Sequence, residues 1–186
     1  MRHLTSLFLA SSVLLAACGG DSDGHHHADD GHDHAAGPAA PEGAFPASLF
    51  ASAPTGEPIG VGAMKSTAKA GDRVIVVGRI GGSEDPFLAD RAMVTIADPS
   101  VKLCGEDDPN DDHCPTPWDF CCEPRDHLRK MSVTIVANAA DGGPIQHSLR
   151  GQGGLKLGAR VVVEGTVASV GPDGAAMINA ERIIAQ

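Results

Sequence analysis

From Gly71 onward the apolar residues fall into five short runs with a period of two, each closed by turn residues, and no stretch after residue 56 keeps a helical period for more than about two turns. In Gly71-Asp72-Arg73-Val74-Ile75-Val76-Val77-Gly78-Arg79-Ile80-Gly81-Gly82, Val74, Val76 and Ile80 share a face with Gly78. A glycine at that place suits a strongly bent strand in which a side chain would collide with its neighbour. Arg91 to Ala97 reads as a second strand, closed by Asp98-Pro99. Met131 to Asn138 reads as a third, ending in the turn residues Asp141-Gly142-Gly143-Pro144. Arg160 to Val170 is a fourth, with Gly165 placed mid-strand like Gly78. Gly171-Pro172-Asp173-Gly174 then turns into a fifth, Ala175 to Ile184. The one helix slot the pattern leaves lies at Leu149 to Leu157, between the third and fourth strands, and its glycines argue against a stable helix.

Five short strands, a bent and glycine-interrupted first strand, and a helix slot only between the third and fourth match the OB plan, a small five-stranded Greek-key barrel. The expected fold class is therefore all-β. Closure of the barrel would leave no long strand edge open to neighbours. Upstream, Phe45, Leu49 and Phe50 lie between prolines in residues 44–56 and predict one short helical turn that docks on the barrel.

The N-terminus sets the compartment. An apolar run through Leu4, Leu7, Phe8, Leu9, Val13, Leu14 and Leu15 follows Arg2 and ends in Leu15-Ala16-Ala17-Cys18. This lipobox resembles that of bacterial lipoproteins. The resemblance implies that residues 1–17 are removed as a signal peptide and that Cys18 becomes an acylated N-terminus. An ordinary signal peptide cleaved nearby, or an uncleaved helix, is the alternative, but the run is shorter than the roughly 20 residues that span a bilayer. Any membrane attachment would then depend on the lipid at Cys18. The expected organisation is a leader at 1–17, a lipidated His-rich flexible tether at 18–56 and the barrel domain at 57–186.

The formal charge of -10 is unevenly placed. Residues 21–42 hold six acids and residues 104–123 hold seven, and neither stretch contains Lys or Arg. The remainder is nearly balanced in charge, so nucleic acid, which demands clustered bases facing phosphate, is not an expected partner.

Cys104, Cys114, Cys121 and Cys122 lie on the acidic insertion at 104–123, between the second and third strands. So long a connection inside a small domain is functional or disordered as a rule, and four cysteines argue against disorder. In an oxidising compartment disulfides are the default. A Cys121–Cys122 bond would close a strained ring, which favours each of the two pairing outward, one with Cys104 and one with Cys114, in either combination. A metal site is the competing reading, with the four cysteines and His113 or His127 as ligands, although the paired C-x2-4-C spacing of zinc sites is missing. A redox role for Cys121 and Cys122 is a third, opposed by the flanking acids Asp119 and Glu123. Asp108, Asn110, Asp112 and Asp119 fall in a calcium-loop register, but Pro109 and His113 break its pattern. Trp118, the one Trp in a chain without Tyr, and Phe120 form an aromatic pair on the same loop. They would serve either as a ligand or partner contact or as a plug over the barrel mouth.

His25, His26, His27, His32 and His34 lie on the tether, interspersed with Asp29, Asp30 and Asp33. Closely spaced neutral imidazoles chelate Zn, Cu or Ni without a preformed cavity, and protons compete below about pH 6. A hydrophilic spacer is the alternative.

Asp98-Pro99-Ser100-Val101-Lys102-Leu103-Cys104, His113-Cys114-Pro115-Thr116-Pro117-Trp118-Asp119-Phe120-Cys121-Cys122-Glu123 and Gly78-Arg79-Ile80-Gly81-Gly82 together resemble a planctomycete-type family of secreted or lipid-anchored proteins. The resemblance covers about residues 58–186 and implies a fold and a compartment but no activity. The chain carries no G-x-S-x-G, no Walker loop and no H-E-x-x-H. The expected function is a non-enzymatic cell-envelope lipoprotein that binds transition metal weakly through its His-rich arm. The alternatives are an envelope module that binds another envelope protein through the Trp118 loop, and a thiol-redox protein or metallochaperone.

Overall fold

A computed structural model describes residues 41, 44–104, 106, 120 and 122–186. The described residues all belong to one compact unit. Its strands are β1 (Ile59–Gly60), β2 (Arg73–Ile80), β3 (Met93–Ala97), β4 (Ser132–Ala137), β5 (Arg160–Val170) and β6 (Ala176–Ala185). Two short helices, α1 (Val61–Thr67) and α2 (Arg125–Lys130), lie before β2 and before β4.

Strands β2 to β6 close on themselves in the order β2-β3-β4-β6-β5, with β5 returning to β2. All neighbours are antiparallel except β4 and β6, which run parallel from Thr134↔Met177 to Ala137↔Ala180. This is the expected OB-like barrel, and the five predicted strands are its five staves. β2 achieves closure by serving two partners: Arg73 to Arg79 pair with β5, and its last residues, Arg79 and Ile80, pair with Ala97 and Ile96 of β3. The bend needs Gly78, where a Cβ would lie 2.8 Å from Ile96 Cδ1 and 2.9 Å from the Ala97 carbonyl oxygen. Gly165 has the same role on β5, at a register shift opposite β6, where a Cβ would run into the Asn179 carbonyl oxygen.

Alternate residues of the staves, among them Val76, Ile80, Ile96, Ile135, Val163 and Ile178, fill the interior. Residues outside the staves cover its ends: Leu49, Val61, Met64, Phe87, Leu149 and Leu155 belong to the same core. The predicted docking turn forms as a 3-10 helix at Ala47–Phe50. Leu49 is buried there, Phe45 and Phe50 meet edge to face at 5.8 Å, and the core thus reaches upstream of residue 57.

The slot between the third and fourth barrel strands holds only a three-residue 3-10 turn, Gln152–Gly154, in keeping with its glycines, since Gly153 leaves the helical region. Two features depart from expectation. Helix occurs instead at α1 and α2, which local sequence did not announce. α1 starts at Gly60 without any side-chain cap from its own segment. The cap comes from Asp98, 36 positions downstream, whose Oδ2 accepts the Gly62 N–H at 2.8 Å. Finally, the two-residue β1 adds a short parallel strand beside Val76 and Val77 of β2, outside the ring.

Candidate functional site

The long insertion leaves the barrel where β3 ends, and a second, smaller core lies there. Ala97, Val101 and Phe120 are its buried members, with Leu103, Leu128 and Met131 partly buried around them. Phe120 is 2 % exposed. Its ring lies against Gly81, where a Cβ would overlap it. Gly81 and Gly82 carry φ of 154° and 89°, backbone that other residues seldom adopt, so the chain can swing away from β2 and leave the ring its seat.

Asp98 ties this end of the barrel together. One carboxylate oxygen accepts from Gly62, and the other accepts from the Ser100 N–H at 2.9 Å and the Ser100 hydroxyl at 2.7 Å. Burial pushes the Asp98 carboxyl up, but the donors at Gly62, Ser100 and Val61 together outweigh it and hold the group below the usual carboxylate range. Lys65 of α1 reaches the same neighbourhood, and its Nζ donates to the carbonyl oxygens of Arg129 at 2.8 Å and Ser132 at 2.6 Å. Burial lowers the Lys65 ammonium, opposed by the charge of Asp173. On the outer face of β5, Glu164 lies under two guanidiniums, Arg73 at 2.7 Å and Arg182 at 2.6 Å. The Arg73 hydrogen bond, helped by Arg182, holds Glu164 below the ordinary range against a desolvation cost.

At the loop itself, Cys104 is buried, and its Sγ accepts the Cys122 backbone N–H at 3.3 Å. Glu106 accepts from Arg79 of β2 at 3.2 Å and, through its other oxygen, from the Leu103 N–H at 3.0 Å. The Glu123 N–H returns to the Phe120 carbonyl at 3.0 Å, so the chain re-enters the barrel through a turn fixed by a buried ring. Pro124 then starts α2. On that helix the half-exposed His127 lies 3.9 Å from Glu123.

Of the residues singled out from sequence, Cys104, Phe120, Cys122 and His127 are described. Cys104 and Cys122 come together, Phe120 turns inward, and His127 faces Glu123. Cys18, His25, His26, His27, His32, His34, His113, Cys114, Trp118 and Cys121 lie outside the described residues, as do Asp108, Asn110, Asp112 and Asp119. Among the described residues no three His, Cys, Asp or Glu side chains converge as metal ligands. No described helix is long and apolar enough to cross a membrane.

Sequence reading passed over Asp98, Lys65 and Glu106, whose partners lie on other elements. Only the Asp98-Pro99-Ser100 turn hinted at one of them. The strand pair β3 and β4, where OB barrels commonly take ligands, points Met93, Thr95, Ser132, Thr134 and Val136 away from the core. None of these five carries a charge or a ring. No protein-family model matches the chain, and no curated protein and no solved structure matches it either.

Proposed function

We propose that this chain is a non-enzymatic, lipid-anchored binding module of the cell envelope, held to the membrane by acylated Cys18 and capturing transition metal on its His25–His34 arm. One contrast supports the reading. The buried charges of the barrel, Asp98 and Glu164, are engaged in holding the barrel itself, whereas five imidazoles crowd into ten residues of the arm. On this reading the barrel is the rigid body and the arm is the ligand-binding part. Zn, Cu or Ni would be held by a few exchangeable nitrogen donors, and acid would release it as the imidazoles protonate.

The test is isothermal titration of Zn and Cu into the full chain and into a variant with His25, His26, His27, His32 and His34 all changed to Ala. The variant is expected to lose most binding at pH 7.5, and wild-type binding is expected to vanish near pH 5. Equal affinities in the two proteins would remove the proposal. Intact mass of the envelope-purified protein checks the acyl group on Cys18.

A second reading, docking of another envelope protein on the Trp118 loop, is supported by the anchoring of both loop ends to the barrel at Cys104 and Phe120. Trp118→Ala would then abolish envelope crosslinks without changing stability; unaltered crosslinks would exclude it.

A further inference from the structure

Helix α2, Arg125-Asp126-His127-Leu128-Arg129-Lys130, carries three permanent positive charges and one negative. Leu128, with Met131 just past the helix, packs on the second core and turns the rest of α2 outward. Arg125, Asp126, His127, Arg129 and Lys130 are all exposed. The far end of the helix is held as well: Lys65 Nζ donates to the Arg129 carbonyl oxygen at 2.8 Å, and Gly174 of the β5–β6 turn lies beside Lys130.

Helix stability does not call for this arrangement. Arg129 and Lys130 suit the negative end of the helix dipole, but Arg125 sits at the positive end, where a cation is unfavourable. Arg125 and Arg129 are also four positions apart, where like charges repel. Elsewhere the barrel pairs its arginines: Arg73 and Arg182 with Glu164, Arg79 with Glu106, and Arg150 with Asp85. Among the described residues Arg125, Arg129 and Lys130 enter no ion pair. The acids near them are Asp126 on the helix, Glu123 before it, which lies 3.9 Å from His127, and Asp173 in the β5–β6 turn, whose charge acts on Lys65.

From this exposed, unpaired charge we propose that α2 docks the barrel on an anionic bilayer, its cations lying among the phosphates of acidic lipids. Docking rests on the lipid-anchored reading above, because an acyl chain at Cys18 would hold the chain at a membrane while α2 sets which face of the barrel meets it. Each Lys or Arg gains from the negative surface potential, and the gain fades within a Debye length, so the helix lies directly against the headgroups.

Amine footprinting tests the orientation. Full-length chain purified from the envelope is mixed with phosphatidylcholine vesicles, with or without phosphatidylglycerol, and acetylated with an N-hydroxysuccinimide ester. Mass spectrometry compares Lys130 with Lys69 and Lys156, exposed lysines elsewhere in the chain. On anionic vesicles Lys130 is expected to react about fivefold more slowly relative to those two, the advantage of one charge at such a surface. R125E/R129E, neutral vesicles, or salt at about 0.5 M are expected to remove the protection. Equal relative reactivity of Lys130 on the two vesicle types overturns docking through α2. Flotation separates this result from the anchor. A chain that floats with neutral vesicles is anchored, whatever Lys130 does. One that floats with anionic vesicles alone, and no longer after R125E/R129E, is docked without an anchor, and one that floats with neither overturns both.

Discussion

Truncating Phe120 and adding a methyl group at Gly81 probe one contact from its two sides. Phe120 is 2 % exposed, and truncating a fully buried Phe to Ala costs about 3–5 kcal/mol once the cavity is included. Among the described residues the core around it is small, with Ala97 and Val101 fully buried beside it, and its partly buried rim of Leu103, Leu128 and Met131 can close in. F120A therefore belongs at the lower end, about 3 kcal/mol. That corresponds to a drop in Tm of about 6–12 °C for a unit of this size. G81A carries two costs: a backbone conformation that only glycine adopts easily, about 1–3 kcal/mol, and a Cβ inside the edge of the Phe120 ring. Only the second depends on Phe120. In the double variant the ring is gone and the new methyl occupies part of its space. The double variant should consequently be about 1–2 kcal/mol more stable than the sum of the single losses predicts. Urea unfolding followed by far-ultraviolet circular dichroism reads the four proteins, with the fluorescence of the lone Trp118 as a second probe. Additivity within about 0.5 kcal/mol would mean that the ring does not sit on Gly81, and the account of how the loop is anchored would be wrong.

Asp98 predicts an acid dependence. Its folded carboxyl lies below the ordinary value of about 3.9, so the stability it contributes is complete above that pH and is lost as pH falls through the folded value. D98N should flatten this limb of the urea midpoint against pH, leaving the part due to Glu164, which has the same sign; a D98N curve parallel to wild type would exclude the assignment. D98A, which strands the Gly62 and Ser100 donors, should cost about 2–4 kcal/mol at pH 7 by the same unfolding assay. G165A should be the most damaging single methyl, beyond about 4 kcal/mol and visible as lost soluble yield, since backbone of β6 occupies the space. G174A, whose nearest neighbour is Lys130 Cγ at 3.6 Å, should cost only about 1 kcal/mol; equal effects at the two sites would refute the crowding argument.

The barrel staves were legible because alternation is a local property: Val74, Val76 and Ile80 declare their shared face whatever they later touch. Gly78 and Gly165 were legible as bends for the same reason, and the docking turn at Ala47–Phe50 was visible as three large apolar residues between prolines. The insertion announced itself by length, acidity and cysteine content. α1 was not legible, because Val61-Gly62-Ala63-Met64-Lys65-Ser66-Thr67 is a poor helix by itself and its cap comes from the end of β3. The Arg73–Glu164–Arg182 group was hidden in the same way, its members 91 and 18 positions apart.

The linear chain by itself determined the five-stave pattern, the clustering of acids in residues 21–42 and 104–123 and of five imidazoles in residues 25–34, and the expectation of export carried by Leu15-Ala16-Ala17-Cys18. These depend on residue type and near neighbours. The tertiary structure alone decided that β4 and β6 run parallel to close the ring, that Asp98 caps a helix it never borders in sequence, and that Cys104 meets Cys122. Each is a contact between distant segments, and such contacts are selected by the packing of the whole core, which no local period encodes.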